Sequence, residues 1–149
     1  MAKKKKSSKK KREAFVLDGS VALAWCFADE VDAYADAIAK KFPDIEAMVP
    51  SLWHLEVTNV LLVGERRDRC DQTDTASWTA FLGSLPITVD EQTSSRAFSD
   101  ILALARTHNL SAYDAAYLEL ALRRGLPLAT LDGSLRAAAT KAGVAIYTP

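Results

Sequence analysis

The sequence is poor in the residues that build disulfide frameworks and zinc sites. It has two cysteines and two histidines among 149 residues. Cys26 and Cys70 lie far apart, and neither His54 nor His108 has a second Cys or His at a metal-ligand spacing. These absences argue against a disulfide-rich secreted domain and against a zinc site, and we expect both cysteines to be free thiols.

Long apolar runs and glycine-rich phosphate loops are also missing. No stretch reaches the ~18 consecutive apolar residues of a membrane span. The N-terminus has no apolar core of the kind found in signal peptides. We therefore expect a cytoplasmic protein that does not associate with membranes. Neither GxxxxGK nor GxGxxG occurs, which argues against the common nucleotide-binding classes.

Acidic residues are absent from one end of the chain and in excess over the rest. Residues 1–12 hold eight lysines and arginines and no acid, whereas residues 13–149 hold 19 acids and 11 bases. The formal net charge of zero therefore hides a basic tail on an acidic body. Because like charges repel and nothing apolar offsets the chain entropy, we expect residues 1–12 to be disordered. The tail either has no specific role or adds nonspecific affinity for nucleic acid.

Residues 13–149 are enough for one domain with its own core. Short apolar runs alternate with helix-spaced patterns, which predicts a parallel sheet covered by helices on both faces. The predicted strands are 15–17, 46–49, 87–89, 126–130 and 144–147. The predicted helices are 21–28, 31–41, 52–69, 73–85, 91–108, 113–124 and 133–142.

Four acids do not fit an ordinary solvated surface. Asp18 ends the first strand, in FVLDGSVALAW, and Asp132 ends the fourth, in LPLATLD. Glu56 lies within the apolar helix LWHLEVTNVLL, and Asp114 lies in the first turns of SAYDAAYLELAL. Ligands of open α/β sheets bind at the carboxyl ends of the strands. We therefore expect the four acids to converge at that edge of the sheet.

Clustered carboxylates without Lys or Arg partners repel one another and lose hydration. A divalent cation removes this cost, and a donor set made only of oxygens favours Mg²⁺ or Mn²⁺. Such ions commonly serve phosphodiester chemistry. Each acid also has an ordinary explanation, because Asp18 and Asp132 suit turns, Asp114 suits a helix start and Glu56 suits a solvated face. Composition and spacing leave both interpretations open.

The sequence resembles the PIN domain family, and within it the VapC-type toxins of toxin–antitoxin pairs. The resemblance covers residues 14–147 and is carried by FVLDGSVALAW, VPSLWHLEVTNVLL and LSAYDAAYLELALRRGLPLATLDGSLRAAATKAGV, in that order. It implies a three-layer α/β/α fold around a five-stranded, mainly parallel sheet. It also implies Mg²⁺- or Mn²⁺-dependent endoribonuclease activity on RNA, a homodimer, and inhibition by a VapB-type antitoxin. The long basic tail departs from the family pattern.

The resemblance also implies roles for individual residues. The acids with catalytic and metal-ligating roles are Asp18, Glu56, Asp114 and Asp132. The residues that support them or orient the substrate are Ser20, Asn59 and Thr130. All four acids of the family pattern are present, which argues against an inactive variant.

Other classes of protein explain parts of the pattern. A receiver-type phosphoacceptor carries adjacent acids after its first strand, but here the sequence is LDGS, with a single acid. A haloacid-dehalogenase phosphatase carries Asp-x-Asp at that point, but residue 20 is Ser. A non-catalytic PIN-fold module that binds RNA or protein would fold without binding metal. The basic residues that either line an RNA groove or are ordinary helix C-terminal charges are Arg66, Arg67, Arg69, Arg123 and Arg124.

Overall fold

The structure, a computed structural model, describes residues 11–149. The expected disorder of residues 1–12 therefore falls mostly outside the described residues. Lys11 and Arg12 are exposed and lie directly ahead of the first strand. No helix in this part of the chain combines the length and the apolar character needed to cross a bilayer.

The described residues contain a sheet of four parallel strands. The strands are β1 (Glu13–Leu17), β2 (Ile45–Pro50), β3 (Ile87–Asp90) and β4 (Leu128–Ala129). They lie in the order β3-β2-β1-β4, so β1 is an interior strand with neighbours on both sides. Phe15, Val16 and Leu17 are fully buried in succession, which requires both faces of the sheet to be covered. The predicted three-layer α/β/α fold is confirmed.

The sheet has four strands rather than the predicted five. The fifth predicted segment, 144–147, forms only a single parallel bridge, between Leu128 and Ile146. The N–H of Leu128 donates to Ala145, and the N–H of Tyr147 donates back to Leu128, each at 2.9 Å. Because β4 itself is only two residues long, it offers the last segment little backbone with which to pair.

Eight helices and two short helical turns connect these strands within residues 11–149. The helices are α1 (Gly19–Cys26), α2 (Ala33–Ala39), α3 (Trp53–Arg66), α4 (Gln72–Ser84), α5 (Thr93–Arg96), α6 (Leu102–His108), α7 (Ala112–Arg124) and α8 (Gly133–Lys141). A 3₁₀ turn, Ala28–Glu30, precedes α2. A π-helical stretch, Ala97–Ile101, joins α5 to α6, where the sequence predicts one regular helix.

Helix α7 forms much of the core and places one of the acids. Residues 115–121 are all buried, and the helix contacts β1, β2 and β4. Ser111 caps its N-terminus, because the Ser111 Oγ accepts a hydrogen bond from the Asp114 N–H at 3.1 Å. Gly125 ends it in the left-handed conformation, at φ 63°. The cap fixes where α7 begins and thereby where Asp114 lies.

Candidate active site

Asp18 is a buried carboxylate at the carboxyl end of β1. It is 7% exposed, and its backbone N–H donates to the Ala129 carbonyl at 3.0 Å. One carboxylate oxygen, Oδ2, accepts hydrogen bonds from the Ser20 hydroxyl at 2.6 Å and from the Thr130 hydroxyl at 2.8 Å. Two of the predicted supporting residues therefore contact the predicted central acid directly.

The two hydroxyls also accept hydrogen bonds from the backbone between β4 and α8. The Leu131 N–H donates to the Ser20 Oγ, and the Asp132 N–H donates to the Thr130 Oγ1, both at 3.0 Å. Because each hydroxyl oxygen accepts a backbone N–H, its own proton is directed to Asp18. The sequence therefore ties the first and last strand ends of the site together through side chains.

Glu56 is half-buried on α3, and one of its oxygens accepts a hydrogen bond from α7. The donor is the Tyr117 hydroxyl, at 2.6 Å from the Glu56 Oε1. Tyr117 is fully buried, and burial together with the nearby Glu56 raises the pKa of its phenol well above the usual range. The phenol therefore stays protonated and acts as a fixed donor to Glu56.

Asp114 and Asp132 complete the group but differ in how they are held. Asp114 is half-buried, and no hydrogen bond to its carboxylate is present within residues 11–149. Asp132 is exposed and caps α8, because its Oδ1 accepts from the Leu135 N–H at 2.8 Å. Within these residues the Asp114 carboxylate therefore has no hydrogen-bond donor, whereas the Asp132 carboxylate is held by the N-terminus of α8.

Burial and mutual repulsion raise the pKa of three of the acids. Burial is the largest cause for Asp18, Glu56 and Asp114. The charge of Asp132 adds to the rise at Asp18 and at Asp114, and the charge of Asp18 adds to the rise at Glu56 and at Asp114. The four acids therefore lie close enough to interact electrostatically, and the catalytic and metal-binding roles assigned to them stay predictions.

The chemistry of this group fits a hard divalent cation. All the donors are oxygens, and within the described residues no Lys or Arg forms an ion pair with any of the four acids. In the same part of the chain, no three Asp, Glu, His or Cys side chains are arranged as a ready-made metal-binding group.

Asn59 is not joined to this group in the described part of the chain. It is exposed on α3 and lines a surface groove with Val63 and Arg67. No hydrogen bond between Asn59 and any of the four acids is present among residues 11–149. Its predicted supporting role stays a prediction.

Two of the arginines that were candidates for an RNA groove are occupied elsewhere. Arg69 pairs with Asp29 and Glu30 at 2.8 and 3.0 Å and lies over the Phe27 ring. The side chain of Arg123 is only 15% exposed. These two arginines are therefore held in ion pairs. Within residues 11–149 no ion pair involves the other three candidates, which are the exposed residues Arg66, Arg67 and Arg124.

Sequence reasoning missed two buried acids that are not part of the site. Asp90 ends β3, and Glu119 lies on α7; they are 9% and 4% exposed. Arg123 donates to Asp90 at 2.8 and 3.1 Å and to Glu119 at 2.7 Å. The four-residue spacing of Glu119 and Arg123 on one helix is the signal that predicts such a pair. These acids have a counter-charge, unlike the four at the candidate site.

Tyr117 is the functional candidate that the sequence analysis did not single out. It lies three residues after Asp114 on α7, a spacing that puts both side chains on one face of the helix. That spacing was the available signal. In the sequence Tyr117 resembles an ordinary core residue, because its hydrogen-bond partner, Glu56, lies 61 positions earlier.

Comparison with known proteins gives the family. Residues 15–141 match the family model for the PIN domain. This chain therefore belongs to the PIN domain family. No curated protein sequence matches it.

Solved structures with the same fold include toxins and their complexes. VapC20 of Mycobacterium tuberculosis, a sarcin–ricin loop cleaving toxin, is 20% identical, with a TM-score of 0.65 over 91% of this chain and 99% of that one. PAE2754 of Pyrobaculum aerophilum is 22% identical, with a TM-score of 0.63 over 85% and 84%. VapBC2 of Rickettsia felis, solved with a fragment of its promoter DNA, is 12% identical, with a TM-score of 0.59 over 90% and 97%. At these identities the similarity supports the fold.

Proposed function

We propose that this chain is a Mg²⁺- or Mn²⁺-dependent endoribonuclease that acts as the toxin of a VapBC-type toxin–antitoxin pair. The observation that carries the proposal is the convergence of four acids that no Lys or Arg neutralises within residues 11–149. Unneutralised, half-buried carboxylates lower the stability of the fold, and this supports a site retained for chemistry. Membership of the PIN domain family supports the nuclease class.

In this proposal different acids bind the ion and orient the attacking water. Asp18, Asp114 and Asp132 would hold one divalent ion, and Glu56 would hold a second ion or orient the attacking water. The ion, when bound, neutralises charge on the phosphate and lowers the pKa of a bound water. Attack by water would form a new P–O bond while the P–O bond to the 3′ oxygen breaks, which gives the 5′-phosphate and 3′-hydroxyl that the resemblance implies. The water would lose a proton to Glu56 or to solvent, and the leaving 3′ oxygen would take up a proton.

Asp18 and Glu56 are each fixed through one oxygen. Ser20 and Thr130 both donate to Oδ2 of Asp18, which leaves Oδ1 free of side-chain donors within the described residues. Tyr117 donates to Oε1 of Glu56, which leaves Oε2 free to accept a proton from water. The raised pKa of Glu56 suits that second role, because a carboxylate with a higher pKa is a stronger base.

Removal of divalent ions tests the proposal. Cleavage of RNA is expected to stop in EDTA and to return when excess Mn²⁺ or Mg²⁺ is added. Either ion is also expected to raise the melting temperature, because a ligand at 100 times its dissociation constant adds about 2.7 kcal/mol to the stability of the native state. Differential scanning fluorimetry and a fluorogenic RNA assay measure both effects. Cleavage that persists in EDTA, with a melting temperature indifferent to both ions, would contradict a metal-dependent mechanism.

Loss of the Thr130 hydroxyl tests the positioning of Asp18. We expect Thr130→Val to lower activity or metal affinity by about 10–100-fold, because groups that orient metal ligands have effects of this size. Thr130→Ser keeps the hydroxyl and is expected to restore most of that loss. Thr140→Val is the matched control, since the Thr140 hydroxyl is exposed and donates only to the Arg136 carbonyl. A metal titration of each variant separates this role from loss of fold, and equal activity of Thr130→Val and wild type would rule it out.

The partner in this proposal is a small VapB-type antitoxin. Large apolar side chains flank the acids, since Leu55 is 74% exposed beside Glu56 and Tyr113 is 63% exposed beside Asp114. These support an apolar contact surface next to a group of negative charges. An antitoxin Arg directed toward the acids suits that group, because its planar fork bridges two carboxylates and would compete with the metal.

The resemblance also supports a homodimer and a cytoplasmic location. Phe98 is 95% exposed and Leu102 is 38% exposed on the helical segment that precedes α7. Apolar side chains exposed to this degree are consistent with a protein contact. The RNA and the antitoxin of the proposed function both belong to the cytoplasm.

The second candidate function is a non-catalytic PIN-fold module that binds RNA or protein. The lack of a ready-made metal-binding group within residues 11–149 is the observation that favours it. Such a module would bind its partner equally well in EDTA and in Mg²⁺, and it would leave the RNA intact.

A further inference from the structure

Arg136 is an exposed cation on α8 whose side chain is held at two points. One guanidinium nitrogen donates to the backbone carbonyl of Thr130 at 3.0 Å. The guanidinium carbon also lies 5.2 Å from the centre of the Tyr34 ring, within the range of a cation–π contact. The positive charge of Arg136 therefore has a defined position, although the residue is open to solvent.

Thr130 connects this cation to the group of acids. The backbone carbonyl of Thr130 accepts from Arg136, and its hydroxyl donates to the Asp18 carboxylate at 2.8 Å. Asp132 lies four residues before Arg136, and residues at this spacing lie on one face of a helix with their Cβ atoms about 5–6 Å apart. Arg136 therefore lies next to the acids, at the carboxyl edge of the sheet.

The helix dipole does not explain an arginine at this position. Arg136 is the fourth residue of α8, which runs from Gly133 to Lys141, and a cation is unfavourable near the N-terminus of a helix. Within the helices of residues 11–149, the other arginines without an ion pair lie at C-terminal ends, where the dipole favours them. They are Arg66, Arg67, Arg106 and Arg124.

An ion pair along α8 does not explain Arg136 either. The four-residue spacing of Asp132 and Arg136 suits such a pair, but none forms in the described part of the chain. Asp132 instead accepts the Leu135 N–H at the start of the helix. The bond to Thr130 leaves Arg136 with further N–H donors, because a guanidinium carries five.

We propose that Arg136 binds a phosphate of the RNA strand next to the phosphate that is held at the acidic site. This inference rests on the proposed function. Residues 13–149 hold 19 acids and 11 bases, so the body of the protein repels a polyanion, and a cation beside the site offsets that repulsion. A guanidinium suits this contact, because its planar fork binds two phosphate oxygens at once.

The test compares two substitutions that change the net charge equally. Arg136→Gln removes the cation beside the acids, and Arg124→Gln removes one from the other end of α7. Arg124 lies ten residues after Asp114, which is about 15 Å along the helix axis. Binding of a fluorescently labelled single-stranded RNA to the whole chain is measured by anisotropy in EDTA, where the proposed cleavage is suppressed, over a range of salt concentrations.

We expect Arg136→Gln to weaken RNA binding by about fivefold near 0.1 M salt and to lower the salt slope by about 0.7, the effect of one lost phosphate contact on a single strand. Arg124→Gln should change the affinity by less than about twofold, because it lies away from the site. Arg136→Lys keeps the charge and should keep the wild-type slope. A slope unchanged in Arg136→Gln, or lowered equally in the Gln and Lys variants, would overturn the phosphate contact.

A measurement on the wild type does not depend on the folding of any variant. Phenylglyoxal modifies arginine side chains, and mass spectrometry locates the modified residues. Bound RNA is expected to protect Arg136 and to leave the modification of Arg124 unchanged. Equal modification of Arg136 with and without RNA would contradict the proposed contact.

Cleavage in Mg²⁺ separates this inference from the proposed function. Arg136→Gln is expected to raise KM by about fivefold and to leave kcat within about twofold of wild type, because the contact binds the strand and not the reacting atoms. If wild type cleaves no RNA but Arg136→Gln still loses affinity and slope, the phosphate contact stands and the nuclease proposal fails. If wild type cleaves RNA and Arg136→Gln matches it in KM and salt slope, the contact is wrong and the nuclease proposal stands.

Discussion

Replacing Asp18 by Asn is expected to abolish RNA cleavage while the fold is retained. Asp18 is the most buried of the four acids and is fixed by two hydroxyls, so it is the residue around which a metal would be held. Asn is nearly the same size but carries no charge. The charge stabilisation that a bound metal supplies is worth several kcal/mol, and a loss of about 4 kcal/mol corresponds to about a thousandfold in rate.

The same substitution is expected to raise stability in EDTA at neutral pH. The pKa of Asp18 is raised because burial opposes its charge more than the hydroxyls favour it, so removal of the charge relieves a cost. In the native state the Asp18 carboxyl therefore binds its proton more tightly than in the unfolded chain. As a result, the wild-type free energy of unfolding falls as pH rises from the unfolded-state pKa of Asp through the raised folded-state pKa of Asp18. The advantage of Asp18→Asn should therefore shrink as pH falls from neutral toward the ordinary range of an Asp carboxyl.

Asp68→Asn is the matched control for this experiment. Asp68 is exposed in the left-handed conformation, at φ 56°, where Asn is well tolerated. It should leave both cleavage and melting temperature unchanged. Urea unfolding at several pH values gives the stability, and a purified RNA assay gives the rate. Cleavage by Asp18→Asn at the wild-type rate would show that Asp18 has no catalytic role.

Removing the Arg123 side chain is expected to have the largest effect on stability. Arg123 forms charged hydrogen bonds with Asp90 and Glu119, and all three side chains are at most 15% exposed. Arg123→Ala would leave the buried Asp90 without an ion-pair partner in the described part of the chain, and Glu119 with Arg96 alone, at 3.7 Å. Breaking one partner of a buried ion pair typically costs about 3–5 kcal/mol.

The adjacent arginine provides the control, and pH provides a second readout. Arg124 is exposed, so Arg124→Ala should change stability by less than about 0.5 kcal/mol.

The pKa of Asp90 is lowered, chiefly by its hydrogen bonds from Arg123. Its contribution is therefore present above the unfolded-state pKa of Asp and is lost as pH falls through the folded-state value. Arg123→Ala should lose this acid sensitivity, and a variant as stable as wild type in urea would refute the structural role of the ion pair.

The sequence marks Asp18 and Asp132 by their local context, whereas the shared role of the four acids comes from the resemblance to PIN domains and stays a prediction. Asp18 and Asp132 follow apolar strands and precede helices, and these boundaries are set by neighbouring residues. A parallel sheet then brings the strand ends to one edge, so the convergence follows from topology. Glu56 and Asp114 lie on helices, so strand topology alone does not group them with Asp18, and composition and spacing left that grouping open.

The partners of buried acids were not predictable in the same way. Tyr117 and Glu56 are separated by 61 positions, and Arg123 and Asp90 by 33, so no local pattern joins them. Charge alone does not distinguish Arg123, whose side chain is 15% exposed, from Arg124, which is exposed. The number of strands was wrong for a related reason, since the pairing of residues 144–147 depends on the length of β4 and not on their own apolar character.

The hydrogen bond between Asp18 and Thr130 determines how late the surroundings of Asp18 can assemble during synthesis. Their hydrogen bond joins positions 112 residues apart, and the backbone that braces Ser20 and Thr130 comes from Leu131 and Asp132. Synthesis runs from the N-terminus, so Asp18 leaves the ribosome long before the groups that hold it. A nascent chain therefore carries the acid without its brace until nearly all of the domain has emerged.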